Sequence, residues 1–219
     1  MKNLYIVANW KENKTLDESL QFMEEFKNIY SPREDAKVII CPPFTSLSAL
    51  FQFVLDNSTK VSLGAQNVSH FEEGAHTGEI AAGQLKGLAQ YVIIGHSERR
   101  AMGETDEIIE KKILNARSHE LIPILCVQNE NTHIVPGVEI VAYEPIEAIG
   151  TGIPDTPEDA EQVASLIKIK NHDVKHVLYG GSVTAENVAD FTGTDNISGV
   201  LVGGASLDAE KFSQIIQNA

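Results

Sequence analysis

The stretch LYIVANWKENKTLDESLQFMEEFKNIYSPREDAKVIIC, residues 4–41, contains the pattern that decides the fold. Two short apolar runs, LYIVA and KVIIC, flank a segment with a helical repeat. In that segment the apolar residues recur at intervals of three and four, namely Leu16, Leu20, Met23 and Phe26. Thr15 stands before the segment and is followed by acidic residues, which is typical of a helix N-cap. The stretch therefore predicts a strand, a helix and a second strand.

The same pattern recurs along the whole chain. Eight runs rich in Val, Ile and Leu occur at residues 4–8, 37–41, 61–65, 91–95, 122–127, 139–143, 176–180 and 199–203. Nearly continuous apolar runs suit parallel strands that are covered on both faces. Amphipathic segments lie between most of the runs, and Thr105 and Thr156 mark two further helix starts. We therefore expect a single domain over residues 1–219, an α/β fold of the (β/α)8 barrel type with eight parallel strands.

One interval departs from this alternation. Residues 129–138, NENTHIVPGV, contain a Pro-Gly pair and no amphipathic period. A helix is not expected there because both residue types interrupt helices. The barrel should therefore lack the outer helix after strand five, or keep only a vestige of it.

Composition narrows the classes of partner. The 219 residues include 17 basic and 31 acidic side chains, a net charge of −14, which opposes binding to nucleic acid or to an anionic membrane. No apolar stretch approaches the roughly 20 residues of a membrane span, and the N-terminus lacks the layout of a secretory signal. We expect a cytoplasmic protein. Cys41 and Cys126 lie in apolar runs, which favours buried structural thiols.

Polar residues follow several of the predicted strands. Asn9 and Lys11 follow strand one, His96 follows strand four, and Glu144 follows strand six. Each has an ordinary explanation on its own, such as a loop lysine, a satisfied histidine or a helix cap. In a (β/α)8 barrel, however, the loops after the strands form the catalytic face, so these residues should converge there.

Two glycine pairs follow strands seven and eight. Gly180 and Gly181 precede Ser182, and Gly203 and Gly204 open a segment expected to be a helix. Backbone N–H groups without side chains, together with a helix N-terminus, favour phosphate. An acidic protein would then hold its phosphate through amides and one lysine.

Seven motifs carry a resemblance that covers the chain from end to end. They are ANWKENKT (8–15), GAQN (64–67), TGEI (77–80), GHSERR (95–100), YEP with AIGTG (143–152), YGGSV (179–183) and LVGGASL (201–207). In these motifs and their order the chain resembles the triosephosphate isomerase family. The resemblance implies interconversion of dihydroxyacetone phosphate and glyceraldehyde 3-phosphate, in glycolysis and gluconeogenesis, without cofactor or metal.

The resemblance also implies roles for the matched residues. Glu144 would be the base that moves the proton, His96 would polarise the carbonyl as a neutral imidazole, and Lys11 would supply positive charge. Asn9 would lie beside Lys11, and Glu98 would lie near Lys11 and His96. The phosphate would be held by Gly150, Ser182, Gly203 and Gly204. Residues 145–152 would form a lid, which this chemistry needs because the enediolate intermediate loses phosphate in water.

Two departures from the family concern the lid hinge. Glu147 stands where the family usually has tryptophan, and Gln128-Asn129 stands where it usually has Gly-Glu. The resemblance places these two positions face to face. We hypothesise that hydrogen-bond donor and acceptor have exchanged sides, and that the pair still tunes lid opening.

The resemblance also bears on assembly. Residues 66–80 correspond to the loop that relatives insert into a partner subunit, with Thr77 near its tip. Because this loop is retained in full, we expect a homodimer that is needed for activity. Arg100 and Glu104 are expected to form a structural ion pair that supports this region.

Two alternatives from other classes remain at this point. Another barrel enzyme acting on a larger sugar phosphate would share the glycine pairs but not the complete set of Lys11, His96 and Glu144. A weakly active or non-catalytic remnant that binds a triose phosphate or a protein partner would fit Glu147 and the missing helix.

Overall fold

The computed structural model describes residues 3–145 and 155–219. It contains eight strands: β1 (Leu4–Asn9), β2 (Ala36–Cys41), β3 (Ser62–Ala65), β4 (Tyr91–Ile94), β5 (Ile122–Val127), β6 (Ile140–Tyr143), β7 (His176–Tyr179) and β8 (Ile197–Val202). Each predicted strand is confirmed, with boundaries that differ by no more than two residues.

The strands close into a barrel. Each strand pairs in parallel with the next along the chain, and β8 pairs with β1. Eight helices accompany them in the described ranges: α1 (Leu16–Ile29), α2 (Phe44–Asn57), α3 (Ala82–Leu85), α4 (Ser97–Ala101), α5 (Asp106–Ser118), α6 (Pro157–Lys170), α7 (Val188–Thr192) and α8 (Ala209–Asn218). The (β/α)8 prediction is therefore confirmed. No helix of the described ranges is long and apolar enough to cross a membrane.

Helix starts follow the predicted capping chemistry. The hydroxyls of Thr15, Thr105 and Thr156 each accept a hydrogen bond from the backbone N–H three residues further on. Thr15 forms a complete capping box with Glu18. These caps satisfy N–H groups that have no partner within the helix, so they fix where α1, α5 and α6 begin.

Apolar side chains fill two regions, one inside the barrel and one between the strands and the helices. Inside the barrel lie Val7, Ile39, Cys41, Ile93, Ile124, Cys126, Ala142, Leu178 and Leu201, among others. Both cysteines are free and buried, as predicted, and burial raises the pKa of each thiol. A thiol that stays protonated packs as a small apolar group.

The connection between β5 and β6 contains no helix, as predicted. It covers the barrel itself, because Ile134, Val135 and Val138 are buried in the main core. Its backbone is tied to both neighbouring segments: Arg117 of α5 donates to the Pro136 carbonyl at 3.0 Å, and the Gly137 N–H donates to Asp173, in the turn between α6 and β7, at 2.8 Å. The shortened chain therefore supplies its own cover at this position.

The predicted ion pair between Arg100 and Glu104 is wrong. Arg100 donates instead to Asp106 at 2.8 Å and to the Gly95 carbonyl at 2.9 Å. Arg100 lies in the last turn of α4 and Glu104 in the turn that follows, and this geometry directs their side chains to different partners.

Glu104 pairs instead with Arg99 at 2.6 Å and with the buried Lys112 at 2.5 Å. Lys112 also donates to Asn67 at 2.7 Å and so ties α5 to the loop 66–80. Its spacing from Ile109 and Ala116, on the buried face of α5, was the sequence signal for this role.

Candidate active site

The carboxyl ends of the strands surround a cavity of about 310 Å³. Strand β1 and the loop after it bring Asn9 and Lys11 to this cavity, β4 brings His96, and β6 brings Glu144. The loops after β7 and β8 complete the wall with Gly180, Gly181, Ser182, Gly203 and Gly204. The residues selected from the sequence therefore lie together, with two exceptions. Glu98 adjoins the cavity through its contacts with Lys11 and His96, and Gly150 lies outside the described residues.

Glu144 is the most deeply buried carboxylate of this site, with 2% of its surface exposed. Its Oε1 lies 3.0 Å from Nε2 of His96, and its Oε2 accepts the backbone N–H of Ser97 at 3.0 Å. Both groups belong to residues that closely follow β4. The carboxylate is thus held in one orientation at the rim of the barrel.

The hydrogen bonds of His96 define which ring nitrogen carries the proton. Its Nδ1 accepts the backbone N–H of Glu98, at the start of α4, at 3.2 Å. A ring nitrogen that accepts a hydrogen bond has no proton of its own. The imidazole is therefore neutral, with its proton on Nε2, which lies 3.0 Å from Oε1 of Glu144.

Lys11 occupies an unusual backbone conformation. Its φ is +52°, in the left-handed region that side chains other than glycine rarely adopt. Surrounding groups stabilise it, because its N–H donates to Asn9 at 3.1 Å and its carbonyl accepts from Gln66 at 2.9 Å. Its ammonium donates to Glu98 at 2.7 Å. The conformation holds a positive charge at the mouth of the cavity.

Glycine is required after β7 because neighbouring side chains approach the backbone closely there. A Cβ on Gly180 would lie 2.9 Å from Cγ of Glu144, and a Cβ on Gly181 would overlap the Tyr179 hydroxyl. A larger residue at either position would displace the carboxylate or the tyrosine.

Glycine has a different role after β8. Nothing lies within 4 Å of a Cβ built on Gly204, and the nearest atom to one on Gly203 is Cε of Lys11 at 3.7 Å. The segment Gly204–Leu207 is a 3-10 turn that precedes α8, where the sequence indicated the start of an α-helix. Its first residues, Gly204 and Ala205, still line the cavity together with Gly203.

Two tyrosines near the site were missed by sequence reasoning, and Cys126 was predicted only as a buried thiol. Tyr143 donates through its hydroxyl to Asp155 at 3.0 Å, and the Asp155 N–H donates to the Tyr179 hydroxyl at 2.8 Å. Burial raises the pKa of Tyr179 to about 12. The two tyrosines therefore hold Asp155, the first described residue after position 145, on both its backbone and its side chain. Cys126 faces Glu144 from inside the barrel, and after burial that carboxylate is the next cause of its raised pKa.

The structure describes only one of the two residues in the hinge hypothesis. Asn129 accepts the N–H of Asn131 at 2.9 Å, and its own N–H donates to Thr132 at 3.3 Å. Its predicted partner Glu147 lies outside the described residues. The exchange of donor and acceptor therefore stays a prediction.

Fold and site together define a class, that of (β/α)8-barrel enzymes with an acid–base pair beside amide-rich loops. The sequence model of one family, described as triosephosphate isomerase, matches residues 4–219. The chain is 40% identical to the triosephosphate isomerase of Dictyoglomus turgidum, with all of both chains covered. It is 41% identical to that of Aquifex aeolicus, over 96% of this chain and 97% of the relative.

A solved structure agrees with these relatives. The crystal structure of triosephosphate isomerase from Bartonella henselae matches with a TM-score of 0.81 and 30% identity, over 99% of this chain and 98% of the other. The chain belongs to the triosephosphate isomerase family and is an isomerase. The alignment with the Dictyoglomus relative spans 251 positions, more than the 219 residues here, so that relative carries segments that this chain lacks.

Proposed function

We propose that this isomerase interconverts dihydroxyacetone phosphate and D-glyceraldehyde 3-phosphate by proton transfer through an enediolate. The observation that carries the proposal is the buried pair of Glu144 and neutral His96, 3.0 Å apart, in the cavity that Lys11 faces. Proton abstraction next to a carbonyl needs a base on one side of the substrate and a donor or a cation on the other. These three residues form such a set.

Glu144 takes the proton from one substrate carbon and returns it to the neighbouring carbon. While the proton is on the carboxyl group, negative charge develops on the substrate oxygen, and the Nε2–H of His96 stabilises it. Without substrate, Nε2 of His96 lies 3.0 Å from Oε1 of Glu144.

Lys11 compensates the charge of the substrate. Its ammonium would act on both the phosphate and the developing enediolate, with Asn9 and Glu98 holding it in place. The phosphate itself would be held by Ser182, by the amides of Gly203 and Gly204, and by Gly150 when the lid formed by residues 145–152 covers the site. No step of this scheme needs a metal or a cofactor.

We further propose a cytoplasmic enzyme with residues 1–219 as one domain, acting in glycolysis as a homodimer through the loop 66–80. The loop supports this because residues 71–79 are exposed, and the Phe71 ring stacks on His76 and lies tilted against His70, with ring centroids 3.9 and 3.8 Å apart. These contacts hold an exposed apolar side chain in one orientation. Sedimentation with a parallel activity assay tests the dimer, and a fully active monomer would refute it.

The function is tested by a coupled assay of glyceraldehyde 3-phosphate isomerisation. We expect Glu144→Gln to lower kcat by about 10³-fold, since a positioned general base contributes roughly 10²–10⁴-fold. Glu110→Gln, an exposed carboxylate on α5, is the matched control and should keep the wild-type rate. A substrate panel that shows turnover of a larger sugar phosphate but not of the triose phosphates would contradict the proposal. So would triose phosphate binding without turnover in the wild type.

A further inference from the structure

Trp10 stands between two residues of the candidate active site without lining the cavity itself. Asn9 and Lys11, on either side of it, both line the cavity. The Trp10 side chain is fully buried in the main core instead. Its backbone N–H donates to the Cys41 carbonyl at 3.2 Å, and its ring packs edge-on against Phe22 with centroids 4.8 Å apart. The indole is therefore held in place by β2 on one side and by α1 on the other.

The indole N–H of Trp10 bonds to the loop after β8. Its Nε1 donates to the Ser206 carbonyl at 3.1 Å, and both residues are fully buried. A buried indole N–H needs an acceptor, and a buried carbonyl that loses its donor costs free energy. The bond links the residues after β1 to the turn Gly204–Leu207. A shift of either segment relative to the other would stretch or break it.

The turn Gly204–Leu207 takes its shape from Ser206. The Ser206 N–H donates to the Gly203 carbonyl at 2.9 Å, and its hydroxyl lies 2.7 Å from the same carbonyl and 3.1 Å from that of Val202. These bonds remain within β8 and the turn that follows it, whereas the bond from Trp10 comes from another part of the barrel. That bond therefore constrains where the turn lies relative to β1.

This constraint acts on two groups that would hold the phosphate. Gly204 and Ala205 of the turn line the cavity, as does Gly203. Trp10 is directly followed by Lys11, whose Cε would lie 3.7 Å from a Cβ built on Gly203. The lysine side chain and the glycine backbone thus approach one another at one corner of the cavity. Because both sides of that corner are tied to one indole, the hydrogen bond limits how far they can separate.

We propose that Trp10 is a positioning residue that makes the enzyme selective for phosphorylated over unphosphorylated substrates. The inference rests on the proposed function, since it concerns how that site holds the phosphate of the triose. The hydrogen bond of Trp10 keeps the amides of the turn and the Lys11 ammonium at the spacing that a phosphate dianion needs. Binding energy from this remote group then lowers the barrier to proton transfer. Other contacts fix Glu144 and His96, which act on the carbons.

Two substrates that differ only in the phosphate separate this role from a purely structural one. D-Glyceraldehyde has the carbonyl and carbons of glyceraldehyde 3-phosphate but no phosphate group. We expect Trp10→Phe to lower kcat/KM by about tenfold for the phosphorylated substrate and by less than about twofold for D-glyceraldehyde, since a hydrogen bond to a charged group is weakened only in the first case. Equal losses on both substrates would overturn the proposal.

An isosteric replacement removes the donor without changing the shape of the side chain. Trp10 is the only tryptophan among the 219 residues, so expression in a tryptophan-auxotrophic host supplied with β-(3-benzothienyl)alanine replaces this residue alone. The analogue has sulfur in place of the indole N–H and still fills the core, so it should fold even where Trp10→Phe fails to. We expect the same selective loss. Wild-type kinetics on both substrates would overturn the proposal, because the hydrogen bond would then be dispensable.

Phe22→Leu is the control for packing. It alters the ring contact of Trp10 from α1 and leaves the bond to Ser206 in place. We expect a less stable protein in which the ratio of kcat/KM for the two substrates equals that of the wild type. A fall in this ratio as large as that of Trp10→Phe would contradict the proposal, because packing rather than the hydrogen bond would then set the selectivity.

Binding of inorganic phosphate distinguishes failure of this inference from failure of the proposed function. Titration calorimetry measures it without turnover, and we expect the apparent Kd to rise about tenfold in Trp10→Phe. If the wild type turns over no triose phosphate, the proposed function fails, and a weaker Kd in the variant still supports the role of Trp10. If the wild type isomerises triose phosphates while both forms altered at Trp10 bind phosphate as tightly as it does, only the inference fails.

Discussion

The two ends of the barrel carry similar residue types in different physical settings. At the carboxyl end, Glu144 and His96 each accept a hydrogen bond from a backbone N–H, at 3.0 and 3.2 Å, and Nε2 of His96 lies 3.0 Å from Oε1 of Glu144. At the amino end, Lys37 and His176 lie against aromatic rings at 4.7 to 5.9 Å. Hydrogen bonds impose direction, whereas ring contacts mainly impose proximity. The carboxyl end therefore has the more precisely oriented groups, as proton transfer requires.

The largest effect should come from removing the cation of the carboxyl end. We expect Lys11→Met to lower kcat/KM by about 10³-fold, because losing one partner of a charge pair costs roughly 2–5 kcal/mol and here both phosphate and enediolate are affected. The coupled assay at low substrate concentration measures this.

Lys14→Met is the matched control for this variant. Lys14 belongs to the same loop and also has positive φ, but its ammonium lies over the rings of Trp10 and Phe22. Its variant should keep activity near that of the wild type. Equal losses in the two variants would mean that the loop conformation, rather than the position of the charge, carries the effect.

The second-largest effect should come from removing the hydrogen-bond donor of the carboxyl end. We expect His96→Gln to lower kcat by about 10²-fold, since one preorganised donor to a developing oxyanion contributes about 10²–10³-fold and glutamine replaces it only partly. His172→Gln changes an exposed histidine in the same way and should keep the wild-type rate. A wild-type rate in His96→Gln would show that Nε2–H plays no part in the reaction.

A feature can be predicted from the sequence when the residues that form it lie close together along the chain. The strands and the carboxyl-end residues were predictable because each polar group directly follows an apolar run. The grouping of Tyr5, Lys37 and His176 at the amino end was not predictable, because these residues meet only when β8 closes against β1. The wrong pairing of Arg100 with Glu104 has a similar cause, because the turn between α4 and α5 decides which acid each arginine meets.

The β5–β6 connection lies outside both ends and should affect stability alone. We expect Val138→Ala to lower the free energy of unfolding by about 2 kcal/mol, because it removes buried methyl groups from a packed core. Specific activity should be unchanged. Urea unfolding measures the change in the free energy of unfolding. His133→Ala, at an exposed position of the same segment, is the control. A Val138→Ala variant as stable as the wild type would mean that this segment does not cover the barrel.

A smaller effect is expected at alkaline pH. The pKa of Tyr179 is raised from 10.0 to about 12, so the folded protein keeps a proton that the unfolded chain releases in this range. Stability should therefore fall as pH rises from 10 towards 12. Tyr179→Phe should make this fall shallower, measured as the urea midpoint from pH 8 to 11. An unchanged slope would contradict the assigned burial of the hydroxyl.

Isomerisation in deuterium oxide tests the central claim most directly, namely that a carboxylate moves the proton between the substrate carbons. While the proton is on Glu144 it can exchange with solvent, so the account predicts product that carries deuterium at the carbon that receives it. Mass spectrometry of product trapped early in the reaction measures this incorporation. Product that retains only the original hydrogen would indicate direct transfer between the carbons and would contradict the role of Glu144.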